Sequence, residues 1–290
     1  MKLSMVIATR NRPDLLLRTV TDTLPNVSRK DTRILLAVDD DDRATLDILK
    51  RLPKDERLTV SVKPREDSRG EKYDRVLKEA SADVYLPAVD CAPIITPAFD
   101  QKIINAARMF DDGIVCIHTP MINGHFPPGL QAFTAGWVEQ MGYIYNHEYP
   151  FWFIDHEADD MARLLCRYVP VDVHVNTAEM RPGTTIRLRD LEFWAGYYNK
   201  MTLERRMKAR QIINSKEFDA SPGHKIALCN NYECVEQRSY GINNSVIANA
   251  AAIEAQRGDK SPPDEGYLRA KARAEQKLDK LFRLYEQQAA

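Results

Sequence analysis

The stretch Ser81-Ala82-Asp83-Val84-Tyr85-Leu86-Pro87-Ala88-Val89-Asp90-Cys91-Ala92-Pro93-Ile94-Ile95-Thr96-Pro97-Ala98-Phe99 decides the fold. Val84 to Val89 is a short apolar run of the kind buried on both faces of a parallel sheet, and it stops at one acid, Asp90. A Pro-containing loop follows, and Pro97 leads into a helix. In such a strand-loop-helix unit, ligands sit just beyond the carboxyl end of the strand. A carboxylate at that point reads in two ways: it holds a metal or a sugar hydroxyl, or it caps a turn.

The same rhythm extends on both sides. Leu3 to Ala8 is an apolar strand, Pro13 suits a first helical turn, and Leu16, Leu17, Val20 and Leu24 share a helical face. Ile34 to Val38 is a second strand that stops in Asp39-Asp40-Asp41-Asp42, followed by a helix with Thr45, Leu46 and Leu49. Leu58 to Val62 is a third strand, and Arg69-Gly70 opens a helix with Tyr73, Val76, Leu77 and Ala80 on one side. Beyond Asp90, Phe99, Ile103, Ala107 and Phe110 mark a helix, and Ile114 to Ile117 a fifth strand. Alternation with short connections predicts an α/β protein, a mostly parallel sheet flanked by helices. Neither the dinucleotide fingerprint Gly-x-Gly-x-x-Gly nor a P-loop follows the first strand.

After Pro120 the pattern changes. Asn123 to Gly129 reads as a loop, Phe133 to Met141 as a short helix ending at Gly142, and Tyr143 to Phe153 as an aromatic-rich run. Asp155-His156-Glu157-Ala158-Asp159-Asp160 opens another helix, and Tyr168 to Val175 reads as a strand leading through His174. From Leu188 the chain is mainly helical, with Leu191, Trp194, Tyr198 and Met201 in one stripe. Asn214 to Asn243 has no clear period, and Arg257 to Gly266 reads as a linker. A last helix, Glu265 to Gln287, carries Leu268, Ala274, Leu278, Leu281 and Tyr285 on one face. That face serves either to dock on the core or to pair copies into a homo-oligomer.

Composition narrows the function classes. The 290 residues are 44% hydrophobic and 29% charged, enough for a substantial core, and the formal net charge of -1 gives no general pull toward nucleic acid or anionic membrane. No apolar run approaches the roughly 20 residues of a membrane span, and the start lacks a signal-peptide pattern. Five cysteines without paired spacing argue for reduced thiols; Cys229 and Cys234 do not have a zinc-knuckle spacing. A cytoplasmic location is expected.

The acids at the ends of successive strands carry a resemblance. Val6-Ile7-Ala8-Thr9-Arg10-Asn11-Arg12, Ala37 to Thr45, Tyr85 to Pro97 and Phe151 to Arg163 resemble, in order and spacing, family 2 glycosyltransferases with the GT-A fold. The likeness spans Met1 to Val175. It implies a catalytic domain over 1–180, with a donor part at 1–118 and an acceptor part at 119–180, and leaves 181–290 as a helical extension. It implies transfer of a sugar from a nucleoside-diphosphate sugar to an acceptor hydroxyl, hexosyltransferase-like and inverting.

By that resemblance Thr9, Arg10, Asn11 and Asp39 line the base pocket, although Asp39 also reads as a helix cap. Arg69 and Lys72 fall where the diphosphate or ribose is contacted, and also read as surface cations. The family's Asp-x-Asp is reduced here to Asp90-Cys91-Ala92, so the second acid is missing. A divalent cation, Mn or Mg, would then rest on Asp90 with His174 as further ligand; a structural histidine is the competing reading of His174. Glu157 matches the family's base position, with Asp155 as rival, and an acidic helix start explains both without catalysis. The aromatic run stacks on an acceptor sugar or belongs to the core.

Two other classes compete. A non-catalytic nucleotide-sugar binder on the same fold is favoured by the missing second acid. A nucleotidyltransferase would carry a Gly-rich basic loop after the first strand, and Thr9-Arg10-Asn11-Arg12 has the charge without the glycine. Interspersed acids and bases speak against a nucleic-acid reader.

Overall fold

The computed structural model describes residues 1–120, 129–151, 153–176, 189–219 and 262–289. The expected loop at Asn123 to Gly129, the linker from Arg257, the aperiodic stretch after Asn214 and both Cys229 and Cys234 lie wholly or largely outside the described residues.

The sheet runs β3-β2-β1-β4-β6-β5-β7. Its parallel half is β1 (Leu3–Ala8), β2 (Arg33–Asp39), β3 (Leu58–Lys63) and β4 (Val84–Val89), in register Val6↔Leu35, Ala37↔Ser61 and Ile7↔Ala88. β1, β2 and β4 are apolar over most of their length because both faces are covered, whereas β3, at the edge of the sheet, leaves Thr59, Val60, Val62 and Lys63 exposed. In β1, Leu3, Met5 and Ile7 join one core cluster with Leu16, Val20, Ile103 and Ile104, whereas Val6 points into the other, with Tyr73, Val76 and Trp137. The covering helices include α1 (Pro13–Thr23), α2 (Arg43–Ile48), α3 (Arg69–Glu79) and α4 (Phe99–Ala107).

The second half departs from the sequence reading. Gln131–Thr134 is a strand, β6, antiparallel to both β4 and β5 (Cys116–His118), and only then does α5 (Ala135–Met141) begin, capped by the Thr134 side chain. β6 meets β4 only at Val84 and Tyr85, so Pro87, which cannot donate to a ladder, lies beyond the paired segment. The expected strand to Val175 is short: β7 covers Tyr168–Pro170, and Val175 makes an isolated bridge to Ile94. α6 (Ile154–Leu164) carries the acidic block.

The C-terminal helices α7 (Leu191–Lys200), α8 (Thr202–Ile213) and α9 (Glu265–Ala289) close the second face. The stripe Leu191, Trp194, Tyr198 and Met201 is buried as expected. Ala274 and Leu278 of the α9 stripe, with Ala270, are buried against the chain's own core, whereas Leu268 is 49% exposed. The start of α9 is also clamped by charge. Arg269 and Arg273 pair with Asp67, Arg65 pairs with Asp264, and Gly266 lies so close that a Cβ there would meet Asp67 Cα at 3.0 Å.

Candidate active site

Three loops beyond the carboxyl ends of β1, β2 and β4 converge with the start of α3 on one cleft. Its lining is Ala8, Thr9, Arg10, Arg12, Asp39, Arg65, Glu66, Asp67, Ser68, Arg69, Lys72, Asp90 and Phe151. Six residues expected from sequence are therefore brought together: Thr9, Arg10, Asp39, Arg69, Lys72 and Asp90.

Asp39 lies at the floor, its side chain 1% exposed, held by an ion pair with Lys72 and by Arg10 Nη1 at 2.9 Å. Burial drives the Lys72 ammonium below its ordinary pKa, and the hydrogen bond and charge of Asp39 pull it partly back. Arg10 also forks onto Asp41, at 2.5 and 3.0 Å, and hydrogen bonding to Asp41 contributes most to raising its pKa. The helix-cap role falls to Asp42, which accepts from the Thr45 backbone N–H at 3.1 Å. Asp42 also accepts the backbone N–H of Asn11 at 2.8 Å. Asn11 adopts a left-handed φ of 54°, which Asn tolerates better than most residues. Its side chain is exposed and does not line the cleft: Asn11 shapes the loop rather than the pocket.

Asp90 is buried, and both carboxylate oxygens are engaged. Thr9 Oγ1 donates to Oδ2 at 2.8 Å and Arg12 Nη1 to Oδ1 at 3.1 Å. His174 is not beside it. It sits in the loop after β7, its side chain 56% exposed and paired with Asp172 at 2.6 Å. The position of the missing second acid is Ala92, fully buried. Among the described residues no group of three His, Cys, Asp or Glu could hold a metal ion. Hard divalent cations want several oxygen ligands, so the described residues do not fit one.

A second cavity, of about 320 Å3, adjoins the first through the shared Arg69 and Phe151. That volume falls in the ~300–1,000 Å3 range of small-ligand pockets. Pro87, Val89, Gln131, Tyr145, Phe153, Asp155 and His156 contribute to its walls. Asp155 accepts from His156 Nδ1 at 2.9 Å. Burial pushes its carboxyl upward, but the charge and hydrogen bonds of His156 outweigh that and leave it below the ordinary value.

Glu157 is elsewhere. Two residues along an α-helix turn a side chain by about 200°, and Glu157 lines a different cavity with Tyr143, Asn146, Tyr149, Arg205 and Lys277. Tyr143 Oη and Asn146 Nδ2 each donate to its Oε1 at 3.0 Å, while Oε2 is buried with no hydrogen-bond partner. Burial pushes its pKa up to about 7. The base position matched from sequence thus lies off both of these cavities, and its rival Asp155 lines the second.

Sequence reasoning passed over Arg12, Arg65, Asp67 and Ser68. Arg12 had a legible signal, as a basic residue in the first βα loop beside Pro13. The 65–68 segment had none, because its place in the cleft depends on α9 packing against it. Of the aromatic run, Phe151 lines both cavities and lies 4.9 Å under the Arg69 guanidinium, Tyr145 and Phe153 are buried and also wall the second cavity, and Tyr149 is a core residue off both.

A family model described as glycosyl transferase family 2 matches residues 4–164. No curated protein matches the sequence. Among solved structures, the chain is similar to the mannosyltransferase PcManGT from Pyrobaculum calidifontis in complex with GDP-Man and Mn2+, at 16% identity and TM-score 0.50 over 98% of this chain and 82% of that one. It is also similar to S. aureus TarS 1-349, at 14% identity and TM-score 0.55 over 89% of this chain and 83% of that one. The same TarS fragment in complex with UDP-GlcNAc aligns at 13% identity and TM-score 0.52, over 89% and 84%. At these identities the likeness is one of fold.

Proposed function

The chain belongs to glycosyl transferase family 2, and from that premise we propose that it moves a sugar from a nucleoside-diphosphate sugar to an acceptor hydroxyl by a single inverting displacement. The fold is GT-A-like. The observation that carries the reading is the adjacency of two cavities that share Arg69 and Phe151 in their walls, one lined by Asp39, Lys72 and Asp90, the other by Asp155.

In this reading the donor nucleotide lies over β1, β2 and β4, in 1–118, with Thr9, Arg10 and Asp39 toward base and ribose and Asp90, Arg69 and Lys72 at the phosphate end. Asp155, in 119–180, faces the acceptor. The acceptor oxygen attacks the anomeric carbon, the bond from that carbon to the diphosphate oxygen breaks, and the electron pair leaves with the nucleoside diphosphate. Asp155 takes the hydroxyl proton as the oxygen attacks. Its lowered pKa keeps it ionised at neutral pH, and His156 orients it. Glu157 has no part in the chemistry.

A divalent cation is given no step, because Asp90 is already paired with Arg12 and His174 is directed to Asp172. Within 181–290, α9 serves the site from outside, through its hold on Asp67. No helix among the described residues is long and apolar enough to cross a membrane. A soluble enzyme of the cytoplasm, acting on a hexosyl donor, is the form of the proposal to test first.

The test is a thermal-shift panel of nucleoside diphosphates, followed by a nucleotide-release assay with matching hexosyl donors. Stabilisation by one nucleotide together with turnover supports the reading. Stabilisation without turnover on any donor would favour the non-catalytic binder.

A further inference from the structure

We infer that Arg12, together with Arg69, meets the charge of the donor diphosphate in place of a divalent cation. The inference rests on the donor reading above and specifies how that same cleft holds its ligand.

Arg12 occupies the place a metal would need. Its Nη1 lies 3.1 Å from Asp90 Oδ1, and the other oxygen, Oδ2, accepts from Thr9. Like charges repel at such range, so a cation on Asp90 would have to displace the guanidinium. Ala92 offers no oxygen where a second acid would stand, and His174 is bonded to Asp172 at the exposed surface. The cation that remains at this point of the cleft belongs to the protein.

The rest of the cleft shares that balance. Its lining carries Arg10, Arg12, Arg65, Arg69 and Lys72 against Asp39, Glu66, Asp67 and Asp90. Two of those acids are neutralised from outside the lining, Glu66 by Arg75 and Asp67 by Arg269 and Arg273, and two of the bases likewise, Arg65 by Asp264 and Arg10 by Asp41, which leaves Arg12 and Arg69 as the cations to weigh. Arg69 has no carboxylate partner among the described residues, and its guanidinium carbon lies 4.9 Å from the centre of the Phe151 ring. Arg12 Nε is buried and unbonded. Arg69 is also the first residue of α3, so the amino end of an 11-residue helix adds its own pull on an anion. A planar guanidinium can grip a phosphate with two parallel N–H groups, which a lysine cannot do. Two such groups flanking the cleft suit a diphosphate whose negative charge grows as the sugar leaves.

The experiment is calorimetric titration of the full chain, freed of metal, with UDP, GDP and ADP, each in EDTA and in MnCl2. The expected result is one preferred nucleotide whose Kd is the same, within about twofold, in both buffers. Arg12→Ala is expected to weaken that nucleotide about tenfold or more, with Arg12→Lys in between. Binding that appears only with manganese would overturn the inference and leave the donor reading standing. No binding of any nucleotide in either buffer would overturn both. The comparison of buffers uses the unmodified protein, so a variant that fails to fold does not weaken it.

Discussion

Lys72 and Asp39 form a buried ion pair at the floor of the cleft, one from α3 and one from the end of β2. The pair joins the packing of the helix to the chemistry of the site. Asp39→Ala would leave an ammonium without its partner in a poorly solvated place, which costs about 3–5 kcal/mol when one half of a buried pair is removed. Adding Lys72→Met should recover much of that loss. Urea unfolding of the single and double variants checks it, and equal losses in both would show that the pair is not coupled.

Glu157 predicts a pH effect on stability rather than on catalysis. Its folded pKa is about 7 against an ordinary 4.5. The folded state therefore holds a proton that the unfolded state releases between those values, so the group's contribution to stability falls as pH rises from about 4.5 through 7. The full swing is on the order of 3 kcal/mol. Glu157→Gln should accordingly gain stability over the unmodified protein as pH goes from 5 to 8. Parallel stability curves across that range would count against a buried, proton-holding Glu157.

Gly70 is required by close approach. A Cβ there would sit 2.7 Å from the Tyr145 carbonyl oxygen and 3.0 Å from His147 Cδ2. Gly70→Ala should push α3 away from that segment at about 1–3 kcal/mol, the usual range for overpacking. Because Lys72 rides on the same turn, nucleotide affinity should fall with it. A variant with unaltered melting temperature and nucleotide Kd would show that the two segments yield freely.

How much could be read beforehand follows from local physics. The parallel half was legible because β1, β2 and β4 are buried on both faces and alternate with amphipathic helices, and their carboxyl ends carry Thr9, Asp39 and Asp90. β6 was hidden because Gln131–Thr134 is too short to show a period and runs directly into α5. His174 was placed at a strand end because Tyr168 to Val175 is apolar enough to continue, yet the ladder with β5 stops at Pro170. The choice between Asp155 and Glu157 depended on helical phase. Acids at 155, 157, 159 and 160 fall on more than one side of α6, and the entry at Phe153, with a left-handed φ of 70°, sets which one meets the second cavity.

The central claim is that Asp155, and not Glu157, works across from the donor. The direct measurement is the steady-state rate of nucleotide release from the preferred donor with acceptor, for Asp155→Asn and Glu157→Gln side by side. Asp155→Asn should lose about 10²–10⁴-fold in kcat while binding the nucleotide diphosphate as before. Glu157→Gln should keep kcat within a few-fold. The reverse pattern, with Glu157→Gln inactive and Asp155→Asn turning over normally, would contradict the account.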